Sequence, residues 1–194
     1  MKRVLRGMLL ALASAVLVLL FYVAVVMGQD LADVNGAARE TGAQALPAPL
    51  EQVIELNSEE EIRSLAEIFP APVMYAGGKT LTFTGGSCED VPFEDGVARV
   101  VTLTYRTEDF DTLTLQSIYP ARAVSLLEQE GYTFTGMTTD KMVGLHYVAM
   151  QSAINIRLHA QGDEALYVLT LPAARSDMVE QWTDDLQLYR GITE

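Results

Sequence analysis

The sequence predicts an α+β protein: an N-terminal transmembrane helix, then a curved antiparallel sheet packed with about three helices. Three observations carry this reading. Residues 8–28 are an uncharged apolar run of 21 residues, about 31 Å long as a helix and close to the hydrocarbon thickness of a bilayer. Runs of alternating apolar and polar residues recur through the second half, joined by connections of hairpin length. Helix start and stop signals stand at the beginning, middle and end of the remainder.

The leader, residues 1–7, carries Lys2, Arg3 and Arg6. The positive-inside bias holds it in the cytoplasm and sends the C-terminal part outward. The run 8–28 is longer than the apolar core of a cleavable signal peptide, which favours an uncleaved signal anchor. Val26, Met27 and Gly28 before Gln29 leave cleavage as the alternative. All 26 acidic residues lie beyond the run, with 10 of the 13 basic ones, so that part carries a formal charge of −16. Such a field repels nucleic acid and anionic lipid headgroups, and it attracts cationic partners or divalent ions. Residues 29–50 contain Gly36, Gly42, Pro47 and Pro49 without an apolar period and read as a flexible tether. Residues 51–194 remain as one extracytoplasmic α+β domain, enough chain for a single core.

Within that domain, residues 52–56 read as a short strand. Ser58 and Glu61 then have the spacing of a capping box, and Ile62, Leu65, Ala66 and Phe69 share one helical face up to Pro70 and Pro72. Leu81 and Phe83 alternate with threonines in a half-buried strand that Gly85 and Gly86 close. An acidic loop follows with Glu89, Asp90, Glu94 and Asp95. Residues 97–106 are the clearest strand, Val97, Val101, Leu103 and Tyr105 facing one way and Arg99 interrupting that face. Residues 112–118 pair back onto it. Pro120 and Gly131 punctuate a short helix with Ala123, Val124 and Leu127 on its apolar side. Residues 132–134, 143–150, 153–160 and 165–171 are further strands. In the third of these Ile154, Ile156 and Leu158 face the core while Asn155, Arg157 and His159 face away. The run 165–171 is apolar on both faces and fits a central strand. Ser176 caps a last helix running to Tyr189, with Met178, Val179, Trp182, Leu186 and Tyr189 as its stripe.

The strand VTLTYR (101–106), its partner LTLQS (113–117), the meander and the closing YVLTLPAARSDMVEQW (167–182) form a pattern. The order of these pieces resembles the uncharacterised membrane-anchored extracytoplasmic domains of Gram-positive bacteria, of the type associated with anti-sigma factors. Those domains are similar in architecture to lipoprotein carriers and sigma-regulator sensor domains. The resemblance covers about residues 50–190 as a pattern of elements. It implies a curved sheet holding helices and a binding or sensing role, and it supplies no catalytic residue.

The chemistry-bearing residues are few. His146 and His159 are the only candidate bases, no serine sits in a nucleophile elbow, and Gly85-Gly86-Ser87-Cys88 is the nearest approach to a nucleophile loop. Cys88 precedes Glu89 and Asp90, whose charge disfavours a thiolate. Three His and Cys residues are too few for a zinc site. The acidic stretches at 89–95 and 108–111 lack the glycine and ligand spacing of an EF-hand. No catalytic, cofactor-binding or metal-binding residue is assigned, and no cofactor is expected. The function expected is a non-catalytic, membrane-tethered extracytoplasmic domain that binds a protein or a lipid-like amphiphile on one sheet face or in a groove under the helix expected over residues 120–130, with the membrane engaged through residues 8–28. The alternatives are a structural or assembly subunit of a membrane complex and an exported hydrolase.

Overall fold

The computed structural model describes residues 48–78, 80–93, 96–121 and 131–190. The chain divides into two compact units between Ala43 and Gln44, and every described element belongs to the second. The run 8–28 and the tether up to residue 47 lie outside the described residues, as does most of the helix expected between Pro120 and Gly131. Among the described residues no helix is long and apolar enough to cross a membrane.

Strands dominate. β1 (Ile54–Leu56), β3 (Leu81–Phe93), β4 (Gly96–Thr107) and β5 (Thr112–Tyr119) form one half of an eight-stranded sheet. β6 (Thr133–Met142), β7 (Leu145–Gln151), β8 (Asn155–Gln161) and β9 (Leu166–Pro172) form the other. The order is β1-β3-β4-β5-β9-β8-β7-β6, antiparallel throughout, so two meanders meet where β5 pairs with β9. β9 is therefore central, which its two apolar faces require. β2 (Val73–Ala76) and β10 (Leu186–Tyr189) make a separate two-stranded ribbon.

One face of the large sheet carries the main core, including Val101, Leu103, Tyr105, Leu113, Leu115, Leu158 and Leu169. The β2–β10 ribbon is fastened to that face by side chains that serve its backbone. Met74 N donates to Ser117 Oγ at 2.9 Å and Ala76 N to the Tyr105 hydroxyl at 3.2 Å, while the Tyr167 hydroxyl donates to the Pro72 carbonyl at 3.2 Å. A buried backbone edge without a neighbouring strand must find such partners, and the core face places a hydroxyl at each point. The opposite face carries a smaller buried cluster of Ala98, Val100, Ile118, Leu166 and Val168.

The expected α+β layer with about three helices is overturned. Among the described residues the α-helices are α1 (Glu59–Ile62) and α2 (Val179–Asp184), each continuous with a 3-10 segment, Arg63–Glu67 and Ala173–Met178 respectively. In the first, Ser58 makes no side-chain cap; Glu61 instead accepts from Asn57 N at 2.7 Å. The Ser64 hydroxyl bonds back to the Glu61 carbonyl at 2.6 Å, competing with continuation of the α-helix. The predicted stripe nonetheless goes inward, with Ile62, Leu65 and Phe69 buried. The last helix stops at Asp184 instead of Tyr189. The Thr183 hydroxyl bonds back to Val179 and Glu180, and Asp184 and Asp185 place negative charge at the unfavourable end of the helix dipole. Leu186 and Tyr189 then lie in a strand paired with β2.

A second correction concerns the segment after Phe83. Gly85 and Gly86 do not close the strand. They bulge it, with a register shift between Phe83 and Gly85, and pairing runs on to Phe93 opposite Gly96. Glu89 and Asp90 therefore sit within β3, while Glu94 and Asp95 fall outside the described residues. The strand expected at 132–134 extends to Met142. Ile154, expected in the core, is 73% exposed in the turn before β8.

Candidate binding groove

Among the described residues the core face of the sheet is not fully covered. The β2–β10 ribbon occupies the part in front of β4, β5 and β9, and the segment Ala173–Asp184 packs against β6, β8 and β9. Toward the β6 edge a groove of about 460 Å³ stays open between β6–β8 and the segment Ala173–Asp184. Its floor is Tyr147, Ala149, Ile156 and Leu158, side chains that alternation along β7 and β8 places on one side. One wall is Thr135, Gly136 and Asp140 of β6. The opposite wall is Ser176 and Asp177 of the 3-10 segment with Val179 and Glu180 of α2. The size is that of an ordinary ligand pocket, and an apolar floor under a polar rim is the usual composition of one. A smaller cavity of about 160 Å³ lies on the other side of the same segment, against Glu108, Asp109, Arg175 and Trp182.

Two ion-pair clusters hold the surroundings in place. Arg175 bonds Asp111 at 2.6 Å and Asp109 at 2.8 Å, tying the 3-10 segment to the β4–β5 loop and so fixing the groove wall. Arg99, 1% exposed, is held more deeply. Its Nε and Nη2 donate to the two oxygens of Asp90 at 2.7 and 3.0 Å, Nη1 to the Ile68 carbonyl at 2.7 Å, and Nη2 to the Ala48 carbonyl at 2.9 Å. Leu50 N donates to the same carboxylate at 2.9 Å. The Asp90 carboxyl is held below the usual carboxylate range, chiefly by its hydrogen bonds from Arg99. The residue that interrupts the apolar face of β4 is thus a clamp joining the sheet, the end of the first helical segment and residues 48–50.

The remaining sequence candidates are dispersed. Cys88 is fully buried in β3, where burial pushes its thiol up to about 11. Ser87 lies beside it in the same strand, not in a turn. His146 is exposed at the start of β7. His159 faces away from the main core as expected but is only 7% exposed, and burial brings its imidazole down to about 4, helped by the nearby Arg157. Neither of its ring nitrogens has a hydrogen-bond partner among the described residues. Among those residues no group of three or more His, Cys, Asp or Glu is placed to hold a metal ion.

Fold and groove together define a class: an antiparallel eight-stranded sheet whose core face, among the described residues, is part covered by a two-stranded ribbon and short helices and part open. No family model, curated protein or solved structure matches the chain. The groove expected under residues 120–130 lies mostly outside the described residues, and the one against Ala173–Asp184 had no signal in the sequence. Its walls come from residues 135–140, 147–158 and 176–180, brought together by the return of the chain across the sheet.

Proposed function

We propose that this is a membrane-tethered, non-catalytic binding domain whose seat is the groove between β6–β8 and the segment Ala173–Asp184, the partner being a protein segment or an amphiphile. The groove carries the reading: it is an open stretch of the core face among the described residues, and its volume is that of a ligand site. The tether rests on the apolar run 8–28 and the basic residues before it, which support an anchor with the acidic remainder outside the cytoplasm. A buried, protonated Cys88 and a buried His159 without an acid partner among the described residues support a role without a nucleophile.

A photo-reactive phenylalanine analogue placed at Val179, inside the groove, and separately at the exposed Arg106, on the far face of β4, tests the reading in intact cells. A discrete adduct from position 179 and none from 106 is expected. Identical adducts from both positions, or none from 179, overturn it.

A further inference from the structure

We infer that the occupant of the groove is a cationic polypeptide segment bearing apolar side chains; this rests on the binding reading above and adds the partner's chemistry. Two exposed carboxylates, Asp177 and Glu180, stand along one side of the opening, and Asp140, which is already engaged, stands on the β6 side. Among the described residues that line the groove there is no lysine, arginine or histidine; of the neighbouring cations, Lys141 follows Asp140 in the chain and Arg175 is engaged with Asp109 and Asp111. Charges separated by more than about 8 Å are screened at physiological salt, so the local rim decides the sign of the occupant. Here that sign agrees with the charge of −16 carried by everything beyond residue 28. A fatty acid or an anionic headgroup would bring a negative charge against this rim. A small hydrated cation would leave the apolar floor unused. A lysine- or arginine-bearing segment satisfies both features, its apolar side chains over Ala149 and Ile156 and its cations at the rim. β6 is also the last strand of the sheet, and a terminal strand beside a groove is where an extended peptide aligns its backbone.

The test uses the full chain in phosphatidylcholine nanodiscs, with empty nanodiscs as the blank. The probes are three dye-labelled heptapeptides alternating leucine with lysine, glutamine or glutamate. The leucine–lysine peptide is expected to bind about tenfold more tightly than the leucine–glutamine one, and the leucine–glutamate peptide least. Asp177→Asn with Glu180→Gln, both on exposed side chains, is expected to remove that preference while leaving the melting temperature within a few degrees. Ala149→Trp, which fills the floor, is expected to abolish binding; Thr135→Trp at the exposed rim replaces it should the first fail to fold. Equal binding of the lysine and glutamine peptides, lost in the tryptophan variant but untouched by the double amide, overturns the charge assignment and leaves the groove as a binding site. No peptide binding, or binding that the tryptophan variants do not affect, overturns the inference, and the Val179 cross-link then judges the groove separately.

Discussion

His159 is the residue at which the sequence pattern and the fold part company most informatively. Alternation along β8 correctly turns it away from Ile156 and Leu158. Alternation says nothing of whether the second face is wet. Here His159 stands between Val148 of β7 and Val168 of β9, on a face where Val168, Leu166 and Ile118 are also buried. The imidazole is stable there only when neutral, since charging it would bury a cation two residues from Arg157. Its value of about 4 against an ordinary 6.5 sets the sign. The neutral form is favoured by folding, so the stability is complete above pH 6.5 and is lost as pH falls through 4. The full loss is about 3 kcal/mol. His159→Leu, which also removes two unpartnered nitrogens, is expected to hold or raise stability at neutral pH and to flatten urea midpoints between pH 6.5 and 4. An unchanged pH profile in that variant would show that His159 does not bear the titration. Any acid loss left in the variant should fall lower, where Asp90 takes up a proton. A depressed carboxyl stabilises above its unfolded value and fails only below it.

At the scale of elements, what was legible followed from side-chain period alone. β4, β5, β8 and β9 lie close to where alternation put them, because each is a strongly apolar run with few breaks. β3 was cut short at Gly85, since glycine pairs and acidic residues read as turn chemistry. The same glycines serve a bulge instead. A Cβ on Gly86 would stand 2.6 Å from the Thr102 carbonyl oxygen and 2.8 Å from Leu103 Cδ2. The first of these is backbone in the middle of the paired β4 and has nowhere to move. Gly86→Ala is therefore expected to destabilise by about 1–3 kcal/mol, read as a lower urea midpoint with an unchanged slope. A midpoint equal to that of the unmodified protein would mean β4 is not packed against this position. The final helix failed for a different reason. A stripe with Leu186 and Tyr189 suits a helix as well as a two-faced strand. The deciding interactions are tertiary: Gly77 N donates to the Asp185 carbonyl at 2.9 Å, and the Thr80 hydroxyl bonds the Asp185 side chain. Neither partner is near in sequence.

For the molecule as a whole, the question is where the folded unit begins and what the segment before it does. The division at Ala43/Gln44 and the Arg99 clamp answer the first part together. Arg99 was visible in the sequence only as a flaw in an apolar face, and its partner Asp90 was read as part of a loop. Once β3 and β4 pair, the two are directly opposite each other. The clamp then reaches outward to the Ala48 carbonyl and Leu50 N, which a tether ending at residue 50 would leave free. Removing residues 1–43 is expected to leave the melting temperature within about 2 °C, because residues 44–194 form a compact unit by themselves. The shortened protein should also move from the membrane fraction to the aqueous one, since it lacks the run 8–28. Removing residues 1–52 is expected to cost more. It strips two partners from an arginine that is 1% exposed and from its carboxylate, and each uncompensated buried group costs about 1–3 kcal/mol. For a domain of this size that lowers the melting temperature by several degrees. Equal melting temperatures for the two truncations would mean that residues 48–50 are not held by the clamp. Retention of the shorter cut in membranes would mean that something other than residues 8–28 brings the domain there.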